Sequence, residues 1–435
     1  MSVSSLIKKL LKIKDIVVRD VLFEGGSDGE QLIIKAKVPV KMERRCPVCG
    51  RKAKRYDAGR GRRRWRSLDM GTTKLFIEAD APRVYCKKHG VLTEWVSWAR
   101  HDARFTYDFE NTTAWLTLHS PISVVAECMR IAWNTVGPLV KRVHDDIKKP
   151  QADQYDGLAC IGIDETSYKK GHKYMTVVVN HDTGKLLWAA KGYGKTVLEE
   201  FFKLLSEEQR RGIKHVTADG ARWIAECVAE WCPHAERSID PFHVVQWATD
   251  TLDEVRRMVW REVREATKAG NEKRKRGRPR KGEEAPQKKK AGAVKGARYP
   301  LSKNPENLTN GQAATIEMIA KSNPRLYRAY LLKEKLRLLF QHSFYGAKGE
   351  LEGWISWARR CRIPPFVELQ KKICRHFDAI LSTIKHGLSN ARIEAINNKI
   401  KLTVRMGYGF RNIDNLIALV MLRCSDVNLM LPGRA

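Results

Sequence analysis

The sequence predicts a multidomain fold of mixed class, an α+β part followed by an α/β part, on three observations. Two Cys/His pairs with metal-ligand spacing lie between Cys46 and His89. Three short apolar stretches of helical period crowd residues 105–149. Beyond Gly157, strand-like runs alternate with helical ones, which is the pattern of a mixed sheet joined partly by crossover helices.

Each element follows from local pattern. Residues 1–40 read as a short amphipathic helix and two strands, Asp15–Phe23 and Gln31–Val38, joined by a Gly/Ser/Asp turn. Residues 41–100 form a basic, cysteine-bearing module. Helical spacing recurs through Thr112–His119, Ile122–Met129 and Thr135–Val143, with breaks at Ser120-Pro121 and Trp133-Asn134. Three helices so arranged suggest a helix-turn-helix. Its recognition helix is Trp133–His144, offering Asn134, Thr135, Lys141 and Arg142 to bases or phosphates.

Past Gly157, the runs Leu158–Ile163, Tyr174–Val179, Lys185–Ala190, Ile213–Ala218 and Ala235–Ile239 are strand-like and strongly apolar, as buried strands are. Helical segments fall at Val197–Gln209, Arg222–Trp231 and Phe242–Ala266. Short turns make the first three strands antiparallel; the later two arrive by helical crossovers. Residues 268–300 are low-complexity Lys/Arg/Gly/Pro and are expected to be disordered when unbound. Residues 311–385 are helical again, and 386–424 hold a last helix pair.

Composition narrows the function. The 435 residues carry 81 Lys+Arg against 49 Asp+Glu, a formal net charge of +32. Arg44–Arg66 holds eleven basic residues against one acid, and Lys268–Arg298 thirteen against three, so these two tracts supply most of the excess. Such concentration of positive charge points to a polyanion, nucleic acid first. No apolar run approaches the roughly 18–20 residues of a membrane helix. The N-terminus lacks a secretory pattern, so a cytoplasmic chain is expected. Ten scattered cysteines do not make a disulfide scaffold.

Four residues near the start have zinc-ligand spacing: Cys46-x-x-Cys49 and Cys86-x-x-His89, each pair placed for one turn to aim both side chains at a single ion. One structural Zn²⁺ would fold this polar module and turn its basic residues, Arg62, Arg63 and Arg64 among them, toward phosphate. The other seven, Cys128, Cys160, Cys227, Cys232, Cys361, Cys374 and Cys424, read as small buried hydrophobes.

Carboxylates mark a second chemistry. Asp164 closes the apolar run Cys160–Ile163, and Asp219 closes Val216–Ala218. An acid ending a buried strand is costly unless a cation neutralises it, and adjacent strands would bring both within reach of one Mg²⁺. Taken singly, each reads more readily as a turn or cap residue; the pair, on the first and fourth strands, does not. Glu394 is the candidate third acid: on a helix it shares a polar face with Asn397, Asn398, Lys401 and Arg405, opposite Ile393, Ile396, Ile400 and Val404.

In order, GIDETSYKKGHKY around Asp164, VTADG at Asp219, DPFHVV from Asp240 and SNARIEAINNKIK around Glu394, with CPVCG upstream, resemble bacterial insertion-sequence transposases of the ISL3 group. The resemblance runs from about residue 30 to about 424. It implies an RNase H-like catalytic domain of the Asp-Asp-Glu type, with a mixed five-stranded sheet and a helical insertion, behind a zinc-binding module and a helix-turn-helix. The catalytic acids map onto Asp164, Asp219 and Glu394, which would hold two divalent ions, Mg²⁺ or Mn²⁺. Cleavage at the element's terminal inverted repeats and strand transfer into target DNA would follow, in a bacterial, nucleoid-associated protein.

The implied domains are 1–100 (strands and zinc module), 101–150 (helix-turn-helix), 151–267 and 386–435 (catalytic domain), and 268–385 (helical insertion). Two ends per element imply at least a homodimer on double-stranded DNA. The chain departs from the family in having Ala391 and Ala395 where Gly is usual, and His89 where Cys is common.

Asp240 and His243 either shape the active site or, for Asp240, cap a helix. Arg276, Arg278 and Arg280 form the core of an AT-hook entering a narrow minor groove, or belong to a tether that binds any phosphate backbone. The alternatives to a transposase are a non-catalytic DNA-binding regulator with the same fold and an RNase H-like nuclease without strand transfer.

Overall fold

The computed structural model describes residues 3–26, 29–148, 154–271, 292–341, 343–388 and 390–433. It resolves into two compact units, one of residues 1–152 with 399–435, the other of residues 153–398.

The first unit begins with helix α1 (Val3–Leu11) and the antiparallel pair β1 (Val17–Gly26) and β2 (Gly29–Lys37). With β4 (Arg62–Arg66) and β5 (Lys74–Asp80) these strands form a sheet of order β1-β2-β5-β4, in which β2 and β5 are parallel. Its core gathers Leu32, Ile34, Leu75 and Ile77 around Trp65 and Trp98, whose rings meet edge to face at 5.6 Å. A small sheet of β3 (Lys54–Asp57), β6 (Arg83–Cys86) and β7 (Gly90–Thr93) carries the Cys/His pairs.

Next come α2 (Tyr107–His119), α3 (Ile122–Cys128) and α4 (Trp133–Lys148). Helix α2 starts five residues earlier than its apolar period suggests, because the Thr106 side chain accepts the Phe109 N–H and caps it. Residues 399–435, assigned from sequence to the catalytic domain, fold within this unit. The cause is packing: Leu419 and Leu422 join Phe109, Val136, Leu139 and Val143 in one apolar cluster.

The second unit is built on a sheet of order β10-β9-β8-β11-β12. Strands β8 (Cys160–Lys169), β9 (Lys173–Asn180) and β10 (Lys185–Lys191) run antiparallel, and β11 (His215–Ala218) and β12 (Glu236–Ile239) join parallel to β8, the expected mixed topology. On one face, Ile161, Ile163, Val178 and Val216 pack against α5 (Lys195–Leu204) and α7 (Arg222–Trp231).

The helix expected over Val197–Gln209 is two helices. Ser206 and Gln209 form a reciprocal capping box that starts α6 (Glu207–Gly212) afresh.

Helix α8 (Pro241–Asn271) carries Val244, Ala248, Leu252, Val255 and Val259 along one stripe into the core of the helical insertion. The insertion continues through α9 (Arg298–Ser302), α10 (Asn310–Ser322), α11 (Pro324–Leu339), α12 (Phe344–Arg360), α13 (Pro364–Arg375) and α14 (Phe377–His386). The tract expected to be disordered is thus helical up to Asn271 and again from residue 292; its centre lies outside the described residues. Helices α15 (Ala391–Met406) and α16 (Ile413–Cys424) end the chain.

Among the described residues no helix is long and apolar enough to cross a membrane. Of the seven cysteines read as buried, Cys128 and Cys374 are exposed; the other five are buried.

Candidate active site

Strand register brings two acids together. In the parallel pair β11–β8, Ala218 lies opposite Ile163, so the next residues, Asp219 and Asp164, emerge side by side. Asp164 does not end its strand, as its sequence context suggested: β8 continues to Lys169 along β9, with Asp164 opposite Val177. Only on the β11 side is Asp164 at an edge, since β11 stops at Ala218. Asp219 turns into the following loop, its Oδ1 accepting the Ala221 N–H at 2.9 Å.

Alternation along β8 puts Gly162 on the same face as Asp164. A Cβ on Gly162 would overlap Ile393 of α15 and press on the Thr217 hydroxyl. Its missing side chain is what lets α15 lie close on this face. Helix α15 then delivers Asn397, whose Nδ2 donates to Asp164 Oδ2 at 2.6 Å, while Asp164 Oδ1 accepts the Glu165 N–H at 2.8 Å. Arg392, at the other end of this segment, donates to the backbone carbonyls of His181 and Asp182 and ties α15 to the β9–β10 turn. Glu394 stands one helical turn before Asn397 and is exposed.

The electrostatics are those of crowded negative charge. Burial, and after it the charge of Asp219, push the Asp164 carboxyl above its usual range; Asn397 and His243 oppose the rise. Glu165 is pushed up to about 7 by burial and by both aspartates. Oxygen donors of this kind suit hard divalent cations. The three acids do not form a closed cluster: among the described residues, only two other groups have ligand atoms all within 4.8 Å of one another. Like charges repel until a cation neutralises them, and that repulsion opposes closer approach.

Asp240 acts as a cap, its Oδ1 accepting the Phe242 N–H at 3.1 Å at the start of α8. His243 lies on the first turn of that helix and favours the ionised form of Asp164. The helical pattern puts Asn397 on the polar face with Glu394 and gives no sign of Glu165. Asn397 is in fact buried. Its position, three residues beyond Glu394, was the available signal.

The Cys/His pairs converge. Cys46 Sγ lies 3.5 Å from His89 Nδ1, Cys86 Sγ 3.6 Å from the same atom, and Cys49 Sγ 3.8 Å from Cys86 Sγ. Tetrahedral zinc with Zn–S bonds of about 2.3 Å needs ligand separations of about 3.7 Å, which these match. Both knuckles end in glycine at positive φ, Gly50 and Gly90, where the chain reverses after the second ligand. The backbone N–H of Lys88, then that of His89, draw the Cys86 thiol down to about 6, toward the thiolate that binds metal.

The residues expected on DNA divide. A concave surface of about 760 Å³ is lined by Arg60, Arg62, Arg63, Arg64, Arg83 and Arg104. Within it Arg63 is committed to the Ala103 carbonyl at 2.6 Å, and Arg64 pairs with Glu78 and Glu24 at 2.8 Å each. On α4, Asn134 is exposed and Thr135 half-buried, while Lys141 pairs with Asp145 at 2.5 Å.

Arg142 is engaged within the fold, its guanidinium holding the fully buried Glu110 at 2.6 Å. Asn398, Lys401 and Arg405 are exposed on α15. Arg276, Arg278 and Arg280 lie outside the described residues.

Comparison with known proteins agrees with these features. Residues 161–420 match a family model described as a transposase, residues 43–89 the zinc-finger of transposase IS204/IS1001/IS1096/IS1165, and residues 94–144 the helix-turn-helix domain of transposase family ISL3. The chain is 49% identical over 424 residues, 97% of its length and 95% of the relative's, to the transposase for insertion sequence element IS1557 of Mycobacterium tuberculosis. It is 26% identical over 371 residues, 84% of its length and 85% of the relative's, to the transposase for insertion sequence element IS1001 of Bordetella parapertussis.

Proposed function

Because this chain belongs to the ISL3 family of insertion-sequence transposases, we propose that Asp164, Asp219 and Glu394 form its catalytic centre for cutting element ends and joining them to target DNA. The observation that carries the assignment is the side-by-side emergence of Asp164 and Asp219 from parallel strands, with α15 bonded to Asp164 through Asn397. The acids would hold two divalent ions, Mg²⁺ or Mn²⁺. When bound, such ions supply Lewis acidity to the attacking and leaving oxygens of an in-line displacement.

The chain's own residues do the rest. Asn397 and the Glu165 N–H fix both oxygens of Asp164, and the Ala221 N–H fixes one of Asp219. In the first step water bonds to phosphorus as the P–O3′ bond breaks, leaving a 3′-OH and a 5′-phosphate. In the second step that 3′-OH attacks a target phosphodiester by transesterification, with no covalent bond to the protein.

Cys46, Cys49, Cys86 and His89 would hold one structural zinc. The arginine-lined surface, the exposed start of α4 and the basic tract would engage the terminal inverted repeats. The domain division 1–100, 101–150, 151–267 with 386–398, and 268–385 belongs to the same reading, residues 399–435 packing with the first unit, as does a dimer or larger assembly bridging two ends.

The test is supercoiled DNA bearing paired element ends, incubated with purified protein and Mg²⁺, with every product end mapped. Asp219→Asn should bind this DNA as the wild type does and produce neither cuts nor joints. Cutting by the variant would remove the assignment, and wild-type cutting without joined products would make the enzyme a nuclease.

A further inference from the structure

A second group of metal-ligating side chains lies in the same unit, away from the three acids. Ligand atoms of His215, Glu236 and His386 all lie within 4.8 Å of one another. His215 and Glu236 are the first residues of β11 and β12 and face each other in the parallel register. His386 closes α14, just before the left-handed Gly387. Its Nε2 lies 2.7 Å from Glu236 Oε2, and its ring centroid 4.3 Å from that of His215. Lys385 Nζ holds the carboxylate at 3.0 and 3.3 Å, and the Ser382 hydroxyl reaches it at 3.5 Å. The Nδ1 atom of His215 is buried with no hydrogen-bond partner among the described residues.

We propose that His215, Glu236 and His386 bind one ion of the zinc class, a second metal site distinct from the cysteine-bearing module and from the catalytic acids. Two imidazoles and one carboxylate are the donor set that favours zinc over magnesium, with water completing the tetrahedron. A His–Glu hydrogen bond would use His386 alone and leave the buried His215 nitrogen unanswered; a shared ion uses both rings. The C-terminus of α14 adds the negative end of its helix dipole, which favours a cation there. Lys385 does not exclude the ion: it can keep Oε1 while Oε2 ligates.

The site is separate from the acids. His215 precedes Asp219 by four residues, about 13 Å along an extended strand. Its effect would be mechanical. Helix α14 already covers the edge strand β12, where the Thr383 hydroxyl accepts the Ile239 N–H at 2.9 Å and donates to the Ile239 carbonyl at 2.6 Å. An ion at its end would clip the last helix of the insertion to the sheet, eight residues before Glu394.

The experiment counts metal on the full-length protein and needs no catalysis. Zinc is titrated into metal-free protein against a chelator of micromolar affinity, and Co²⁺ is used in parallel as a spectroscopic probe. With Asp164 and Asp219 both changed to Asn, which removes the divalent site proposed on the acids, two equivalents per chain are expected, and only one of the two Co²⁺ ions should show thiolate charge-transfer bands. Glu236→Gln and His386→Ala should each weaken the thiolate-free equivalent by more than the roughly 10–100-fold typical of losing a residue that only hydrogen-bonds a ligand, leaving the thiolate-bound one intact. Cys46→Ser/Cys49→Ser should do the reverse. A wild-type stoichiometry of one, or a second ion indifferent to both variants, overturns the proposal. If the ligand variants fail to fold, the cobalt titration of the protein lacking Asp164 and Asp219 decides alone: absence of a thiolate-free ion there overturns the proposal.

Discussion

The region around β4, β5 and α2 in the first unit and the region around Asp164 in the second treat acidic side chains in opposite ways. In the first, buried acids are answered by arginine. Fully buried Glu110 is gripped by Arg100 at 3.1 Å and Arg142 at 2.6 Å; Asp69 is shared by Arg66 and Arg130; Glu78 sits against Arg64 and Arg62. In the second, Asp164, Glu165 and Asp219 crowd one region of the sheet, and none forms an ion pair with a described residue. The Asp164 and Glu165 carboxyls are accordingly pushed up. A paired buried acid costs the fold less than a crowded unpaired one, whose charge a bound cation would relieve. In a chain of +32 this difference supports the proposed catalytic site more directly than the total charge does.

Substitutions can break or sharpen that contrast. The largest effect is expected for Asp164→Asn. DNA cleavage should fall at least about 1,000-fold, several kcal/mol of transition-state stabilisation, while the melting temperature holds or rises as repulsion is relieved. A large drop in melting temperature would mean that Asp164 supports the fold.

Glu110→Ala should behave oppositely. It removes the carboxylate that Arg142 holds and leaves Arg100 with Asp146 and Asn111, so it should cost about 3 kcal/mol of stability in denaturant unfolding, the low end for a broken buried pair. An unchanged midpoint would show that the arginines find water instead. Asn397→Ala should have the smallest effect. Losing one hydrogen bond to a charged group costs about 1.5–3 kcal/mol, so cleavage should drop about 10–100-fold with DNA binding unchanged. Full activity in that variant would show that α15 does not orient Asp164.

Much of this was legible in the sequence, and the legible parts share a cause. The expected zinc ligands have two residues between them within each pair, and the five strands are short apolar runs. Helix α7 begins and ends where its apolar period does. All of these are local signals. Asp164 and Asp219 stood out because each interrupts an apolar run. Where local signals compete, reading by period failed: the capping box at Ser206 split one expected helix, and β8 ran on past Asp164 because β9 pairs with it.

The sequence by itself determined the order of modules, the zinc spacing, the mixed sheet and the acids worth testing, because chain spacing and hydrophobic period are written along the chain. Only the tertiary structure decided who meets whom. It turned Arg142 to Glu110, 32 residues away, and Asn397 to Asp164, 233 residues away. It packed the C-terminal helix α16 against the three-helix core. It also gathered His215, Glu236 and His386, whose separations carry no motif. Such meetings depend on strand register and on close approaches such as the one Gly162 allows, and neither has a period along the sequence.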